Sequence, residues 1–133
     1  MPIKVLIGDD CDMMRRAIRD FLRDHPEVEI VGEARNLPET VKMAKKLSPE
    51  VVIMDLGLAT RDSLNHKLRL DFGSSQLLAI SLSNDDEARD LADTVGANAL
   101  IDKMSLYTDL VPAICSLATR MRGSPNRRAA TQL

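Results

Sequence analysis

Val51-Val52-Ile53-Met54-Asp55 decides the fold. Two valines and an isoleucine favour extended backbone, and a run this short and apolar has no polar face to turn toward water. A strand that is apolar on both sides belongs in a parallel sheet covered by helices on both faces. The run stops at a carboxylate, so Asp55 marks the strand's C-terminal end.

The same pattern repeats on either side. Ile3-Lys4-Val5-Leu6-Ile7 reads as a first strand and leads into Asp9-Asp10-Cys11-Asp12. Met14, Ala17, Ile18, Phe21 and Leu22 then recur at helical spacing until His25-Pro26 ends the helix. Residues 29–34 read as a second strand. Asn36, with Pro38 in the first turn and Glu39 three residues on, predicts a capped helix with Val41, Ala44 and Leu47 facing inward.

Downstream, Leu77-Leu78-Ala79-Ile80 is a fourth strand ending at Ser81. Ser83-Asn84-Asp85-Asp86 caps a helix that carries Ala88, Leu91, Ala92 and Val95 and closes at Gly96. Ala99-Leu100-Ile101 is a short fifth strand before Lys103, and residues 106–121 form the last helix. Pro112 lies inside that pattern, so the helix either begins near it or is kinked by it. The third helix falls in residues 63–70, where the periodicity is thin. Strands alternating with helices imply an α/β fold, a doubly wound five-stranded parallel sheet. Ligands of such sheets gather beyond the C-terminal strand ends, at the topological switch point.

The chain's 133 residues suit one domain. Aromatics make up only 2%, so the core must be aliphatic. A net charge of −2 predicts neither a nucleic-acid nor a membrane surface for the domain as a whole. Cys11 and Cys115 lack CxxC spacing, which argues against a disulfide framework or zinc site and fits a reducing cytosol. The N-terminus lacks a signal-peptide pattern, and no apolar run approaches the ~20 residues of a bilayer span, so a cytoplasmic location is expected. Residues 122–133 combine Gly123, Ser124, Pro125 and three arginines without an acid. They read as a flexible tail or linker after a domain spanning residues 1–121.

The strand ends carry the chemistry: Asp9 and Asp10 after the first, Asp55 at the third, Ser81 at the fourth, Lys103 after the fifth. Each like-charged carboxylate pair at ~4 Å costs roughly 4 kcal/mol at an effective dielectric near 20. Relief must come from a protonated carboxyl, from Lys103, or from a bound cation. Carboxylate oxygens suit a hard divalent ion such as Mg²⁺. A carboxylate can also attack phosphorus, with a metal and a lysine neutralising the transferred oxygens. Ser81 supplies a hydroxyl donor to such a group.

Other residues have plainer readings. Asp12 suits a cap of the first helix, and Cys11 a small buried thiol. Met13 and Met14 read as core filler, His25 and His66 as surface residues, and Lys42, Lys45 and Lys46 as a solvated helix face.

Taken in order, Asp9-Asp10, Asp55, Ser81 and Lys103 resemble the set of bacterial two-component receiver domains, over roughly residues 2–120. The runs Ile80-Ser81-Leu82-Ser83 and Ile101-Asp102-Lys103-Met104-Ser105 are similar to those of regulators with helix-turn-helix output of the LuxR/nitrate-response class. The resemblance implies a flavodoxin-like fold and a phosphorylation switch, not a turnover enzyme. It implies that Asp55 takes phosphoryl from the phosphohistidine of a sensor histidine kinase. Asp10 and Asp55 would ligate Mg²⁺, with Asp9 helping through a water and the Gly57 carbonyl adding an oxygen. Lys103 would pair with the phosphoryl group, and Ser81 would move toward it. Transcription is the implied output, with a homodimer through the last two helices and the strand between them. DNA contact would come only through a downstream domain, of which this chain would hold at most the leading leucine, Leu133; the alternative is a stand-alone receiver with a frayed C-terminus, and no membrane contact is implied.

Some positions depart from the family pattern. Ala59 replaces the usual proline, residues 60–63 lack the usual glycine, and the segment from Asp55 to Ser81 is slightly short. Leu100 stands where a switching Tyr or Phe is common, and Met104 where many relatives carry proline. These keep open a pseudo-receiver that binds partners without phosphorylation. A haloacid-dehalogenase-type phosphatase, reading Asp10-Cys11-Asp12 as DxD, fits less well. It would need an acidic pair after the lysine, and only Asp109 follows Lys103.

Overall fold

A computed structural model describes residues 1–59 and 71–131. The expected third helix and His66 lie outside them. Five strands, β1 (Ile3–Gly8), β2 (Val28–Ala34), β3 (Val51–Asp55), β4 (Gln76–Ser81) and β5 (Ala99–Asp102), form one parallel sheet in the order β2-β1-β3-β4-β5. The chain leaves β1 toward one edge and β3 toward the other, so the switch point lies between these two strands.

Period-2 alternation sends neighbouring side chains to opposite faces. Val5, Ile7, Ile53, Leu78 and Ile80 belong to a core shared with α1 (Asp12–Arg23) and α4 (Leu106–Thr131). Leu6, Val52, Met54, Leu77 and Ala79 belong to a second core with α2 (Leu37–Leu47) and α3 (Asp86–Val95). Both faces of the sheet are thereby covered, which is why the central strands β3 and β4 are apolar almost throughout, whereas the edge strand β2 carries Glu29 and Glu33. A fully buried side chain such as Leu78 or Ile53 contributes about 1.5–3 kcal/mol. Thr40 of α2, fully buried, donates its hydroxyl to the Asn36 carbonyl at 2.7 Å.

The caps explain the helix positions. Asn36 Oδ1 accepts from the Glu39 N–H at 2.8 Å. Glu39 Oε1 accepts from Arg35 N–H, one residue outside the cap, instead of closing a reciprocal box on Asn36. Asp85 Oδ1 accepts from Ala88 N–H at 2.9 Å, and Gly96 ends α3 in the left-handed region at φ 80°. There an L side chain is strained, so glycine is favoured.

Several plainer readings are corrected. Cys11, expected as a buried thiol, is exposed, because it stands at the N-cap position of α1 where the chain faces water. Asp12 lies inside the first turn of α1 and pairs with Arg15 instead of capping. Met13 points outward at 78% exposure, and only Met14 packs on the core. His25 sets Nδ1 3.0 Å from the Phe21 carbonyl, and its ring is 4.7 Å from that of Phe21.

Pro112 does not begin the last helix. α4 starts at Leu106, and its stripe of Leu106, Leu110, Ile114 and Leu117 is buried strongly enough to offset one missing backbone hydrogen bond. The backbone stays helical to Thr131, through most of the segment whose composition reads as linker. Arginine and alanine at residues 127–130 are good helix formers. Among the described residues no helix is long and apolar enough to cross a membrane.

Candidate functional site

Asp9 extends β1 by one residue, its N–H donating to the Ala34 carbonyl of β2 at 3.0 Å. This pins a carboxylate at the switch point with 2% exposure. Its Oδ1 accepts from Cys11 N–H at 2.9 Å, and its Oδ2 stands 3.9 Å from Lys103 Nζ. Burial pushes the Asp9 carboxyl above the ordinary carboxylate range; the Cys11 N–H opposes it, Asp55 reinforces it, and Lys103 and Asp10 add smaller opposite effects. Asp10 follows on the exposed side of the loop.

Asp55 closes β3 beside Ile80 of β4. Its Oδ1 lies 3.2 Å from Lys103 Nζ, and both side chains are mostly buried. After Asp55 the chain makes a short 3-10 turn, Leu56–Leu58, with Leu56 and Leu58 buried and Gly57 exposed between them. A Cβ at Gly57 would stand 2.7 Å from Asp55 Oδ2, so glycine leaves that carboxylate room.

Lys103 is placed by β5, whose last residue, Asp102, pairs with Ser81. The Asp102 carboxylate accepts from Met104 N–H at 2.9 Å and holds the turn beginning at Lys103. One oxygen from each of Asp9, Asp10 and Asp55 lies within 4.8 Å of the others, a spacing that suits a single hard cation. The three acids and Lys103 are therefore brought together as the sequence reading expects.

A cleft of about 390 Å³ opens beside Asp55, lined by Gly57, Ser81, Ser83, Asp85 and Lys103 among others. From Ser81 a chain of polar contacts runs to α3. Ser83 N–H donates to Ser81 Oγ at 3.3 Å, Ser83 Oγ donates to Asp85 Oδ2 at 3.1 Å, and Asp85 caps the helix. Its bonds from Ala88 N–H and then from Ser83 hold the Asp85 carboxyl below its usual range. Leu100 is half-buried against the core on the α3 face. Leu82 and Met104 stand exposed near the site at 80% and 88%.

Two features escaped the sequence reading. Ser83 and Asp85 were read only as cap residues, because a link from Ser81 to α3 needs side-chain directions. Arg15 was not singled out, since an arginine on an amphipathic helix ordinarily faces water. The pair Arg15 and Glu33, eighteen positions apart, is a signal only once β2 is known to lie beside α1.

Comparison with known proteins bears on this geometry. The family model described as response regulator receiver domain matches residues 5–114. A protein-glutamate methylesterase/protein-glutamine glutaminase of Alkalilimnicola ehrlichii is 33% identical over 100 residues, 74% of this chain and 26% of that protein. The transcriptional regulatory protein LiaR of Bacillus subtilis is 29% identical over 114 residues, 84% of this chain and 54% of that protein. The chain thus spans about half the length of one curated relative and about a quarter of the other. The signal receiver domain of NarL from Mycobacterium tuberculosis superposes with a TM-score of 0.78 at 24% identity, covering 89% of this chain and 97% of that one, which establishes the fold.

Proposed function

We propose that this chain, which belongs to the family of response regulator receiver domains, takes a phosphoryl group onto Asp55. The observation that carries the assignment is the placement of Asp55, within 3.2 Å of Lys103 and inside the carboxylate cluster at the switch point. The phosphoryl group comes from the phosphohistidine of a sensor histidine kinase. A carboxylate oxygen of Asp55 forms the new O–P bond, the P–N bond breaks, and the imidazole nitrogen keeps the electron pair and takes a proton. A small phosphodonor in place of the phosphohistidine keeps the electron pair of its own bond to phosphorus on its leaving group.

The three carboxylates fit a divalent oxygen-binding cation, and we assign Mg²⁺ to Asp10 and Asp55, with Asp9 acting through a water and the Gly57 carbonyl adding an oxygen. Bound there, Mg²⁺ supplies charge neutralisation for the phosphoryl oxygens. Lys103, already beside Asp55 and Asp9, neutralises them as well, exchanging its contact with the Asp55 carboxylate for one with the phosphoryl group. Ser81, in the same cleft as Asp55 and Lys103, donates its hydroxyl to a phosphoryl oxygen.

The domain is read as a switch without turnover, acting in the cytoplasm, with dimerisation through α3, β5 and α4. Its output is read as transcription through a further DNA-binding domain, supported by the match to LiaR over 84% of this chain. The methylesterase relative matches this chain over about a quarter of its own length, so an enzyme output is a second reading beside transcription, and the natural reading frame decides among these and a stand-alone receiver. The phosphoacceptor reading is tested with a small phosphodonor and Mg²⁺. An acid-stable, base-labile phosphoprotein is expected, and a protein that stays unlabelled would favour a pseudo-receiver instead.

A further inference from the structure

We infer that Arg15 is a positioning residue for cation binding: its guanidinium locks the loop between β1 and α1 so that Asp9 and Asp10 converge on Asp55. The inference rests on reading that carboxylate cluster as a cation site. Arg15 lies one turn into α1 and is 8% exposed, unusual burial for an arginine. Its three nitrogens reach three different segments. Nη1 donates to the main-chain carbonyl of Asp9 at 2.7 Å, Nη2 pairs with the Asp12 carboxylate, and Nε stands 3.7 Å from Glu33 Oε1. Glu33, near the end of β2, is itself held by Arg19 Nη1 at 3.1 Å.

The consequence falls on the Asp9 backbone. Its N–H is fixed by the Ala34 carbonyl, its C=O by Arg15, and its carboxylate by Cys11 N–H. With both ends of the residue tied, the following peptide has little freedom to rotate, and that peptide sets where exposed Asp10 points. Arg15 pairs with Asp12 and Glu33, so it orders the loop while its own charge is taken up by carboxylates outside the cluster. Groups that orient metal ligands from outside commonly change metal affinity ~10–100-fold when removed. A lysine cannot replace this guanidinium, because a single ammonium on a flexible stem does not span three acceptors in one plane.

The experiment is a Mg²⁺ titration of the full chain by calorimetry, with the Mg²⁺ dependence of phosphorylation by a small phosphodonor measured in parallel. Wild type, Arg15→Lys, Arg15→Ala and Glu33→Gln are compared, each checked by urea unfolding without Mg²⁺. Arg15→Lys is expected to weaken Mg²⁺ binding ~10-fold and Glu33→Gln a few-fold. Saturating Mg²⁺ should restore most of the phosphorylation rate in both. A merely structural arginine would lower the unfolding midpoint and leave the Mg²⁺ affinity of the folded protein unchanged, and that result would overturn the inference. If Arg15→Ala does not fold, Arg15→Lys and Glu33→Gln decide. A wild type that binds no Mg²⁺ would instead overturn the cation reading itself.

Discussion

The Lys103 ammonium stands 3.2 Å from Asp55 Oδ1, and the same nitrogen is 3.9 Å from Asp9 Oδ2. One cation thus serves two of three clustered carboxylates, and the cluster retains negative charge. A partly neutralised site of this kind suits a further cation, and the cleft beside Asp55 opens toward solvent. Removing a carboxylate from the cluster should therefore have opposite effects on the protein with and without metal.

Asp9→Asn tests this through pH. The Asp9 carboxyl is raised above its unfolded value, chiefly by burial, so its protonation favours the folded state. That contribution is fully present below the unfolded pKa and is lost as pH rises through the raised folded one. At neutral pH without metal, ionised Asp9 is a destabilising residue. Asparagine can still accept from Cys11 N–H, so the variant should be more stable than wild type there and melt at a higher temperature. The gain should shrink as pH falls toward the carboxylate range, and Mg²⁺ should stabilise the variant less than wild type. Calorimetric melts across pH would contradict the account if the variant were less stable than wild type at neutral pH.

Asp10→Ala should weaken Mg²⁺ binding more than Asp9→Ala does. Both oxygens of Asp9 already face partners, Cys11 N–H and Lys103, whereas exposed Asp10 can turn fully toward an ion. A loss of ~10-fold or more is expected at Asp10 and a smaller one at Asp9. Equal losses in titration would remove the distinction.

Gly57→Ala should slow phosphorylation while leaving stability nearly unchanged. The new methyl would sit 2.7 Å from Asp55 Oδ2, so the carboxylate must shift away from it. Displacement of a reacting group by a fraction of an ångström costs roughly tenfold in rate. Stopped-flow phosphorylation at saturating Mg²⁺ measures it, and an unchanged rate would show that the carboxylate has slack.

Much of this was legible in the sequence because the sheet is buried on both faces. Strands β1, β3, β4 and β5 are short, largely apolar runs, and a polar residue at or just after the end of each marks its C-terminal edge. Asp9, Asp10, Asp55, Ser81 and Lys103 could be gathered at that edge from strand order alone. Exposure was less legible: Met13 and Cys11 resemble core residues by type, and only the start of α1 at Asp12 turns them outward. The far end of α4 was missed because Gly123, Ser124 and Pro125 are read as breakers, while the backbone continues helical through them. Arg15 could not be assigned without the pairing of β1 and β2 that brings Glu33 alongside the Asp9 loop.

Switching should pass through Ser81 and α3. Leu100 has neither ring nor hydroxyl, so no aromatic swing is available at that position. The Ser83 amide is held to Ser81 Oγ by a contact already long at 3.3 Å, and Ser83 is tied to the Asp85 cap. Movement of Ser81 toward a phosphoryl oxygen would pull on this chain and bias two packings of residues 83–96. Hydrogen exchange with a phosphoryl mimic should change most there, and Ser83→Ala should reduce the change. A response confined to residues 37–47 would refute it.

The most direct test of the central claim is intact-mass measurement after incubation with a small phosphodonor and Mg²⁺. Wild type should gain the mass of one phosphoryl group, and omission of Mg²⁺ or the substitution Asp55→Asn should abolish the gain. An undiminished gain in Asp55→Asn would contradict the assignment.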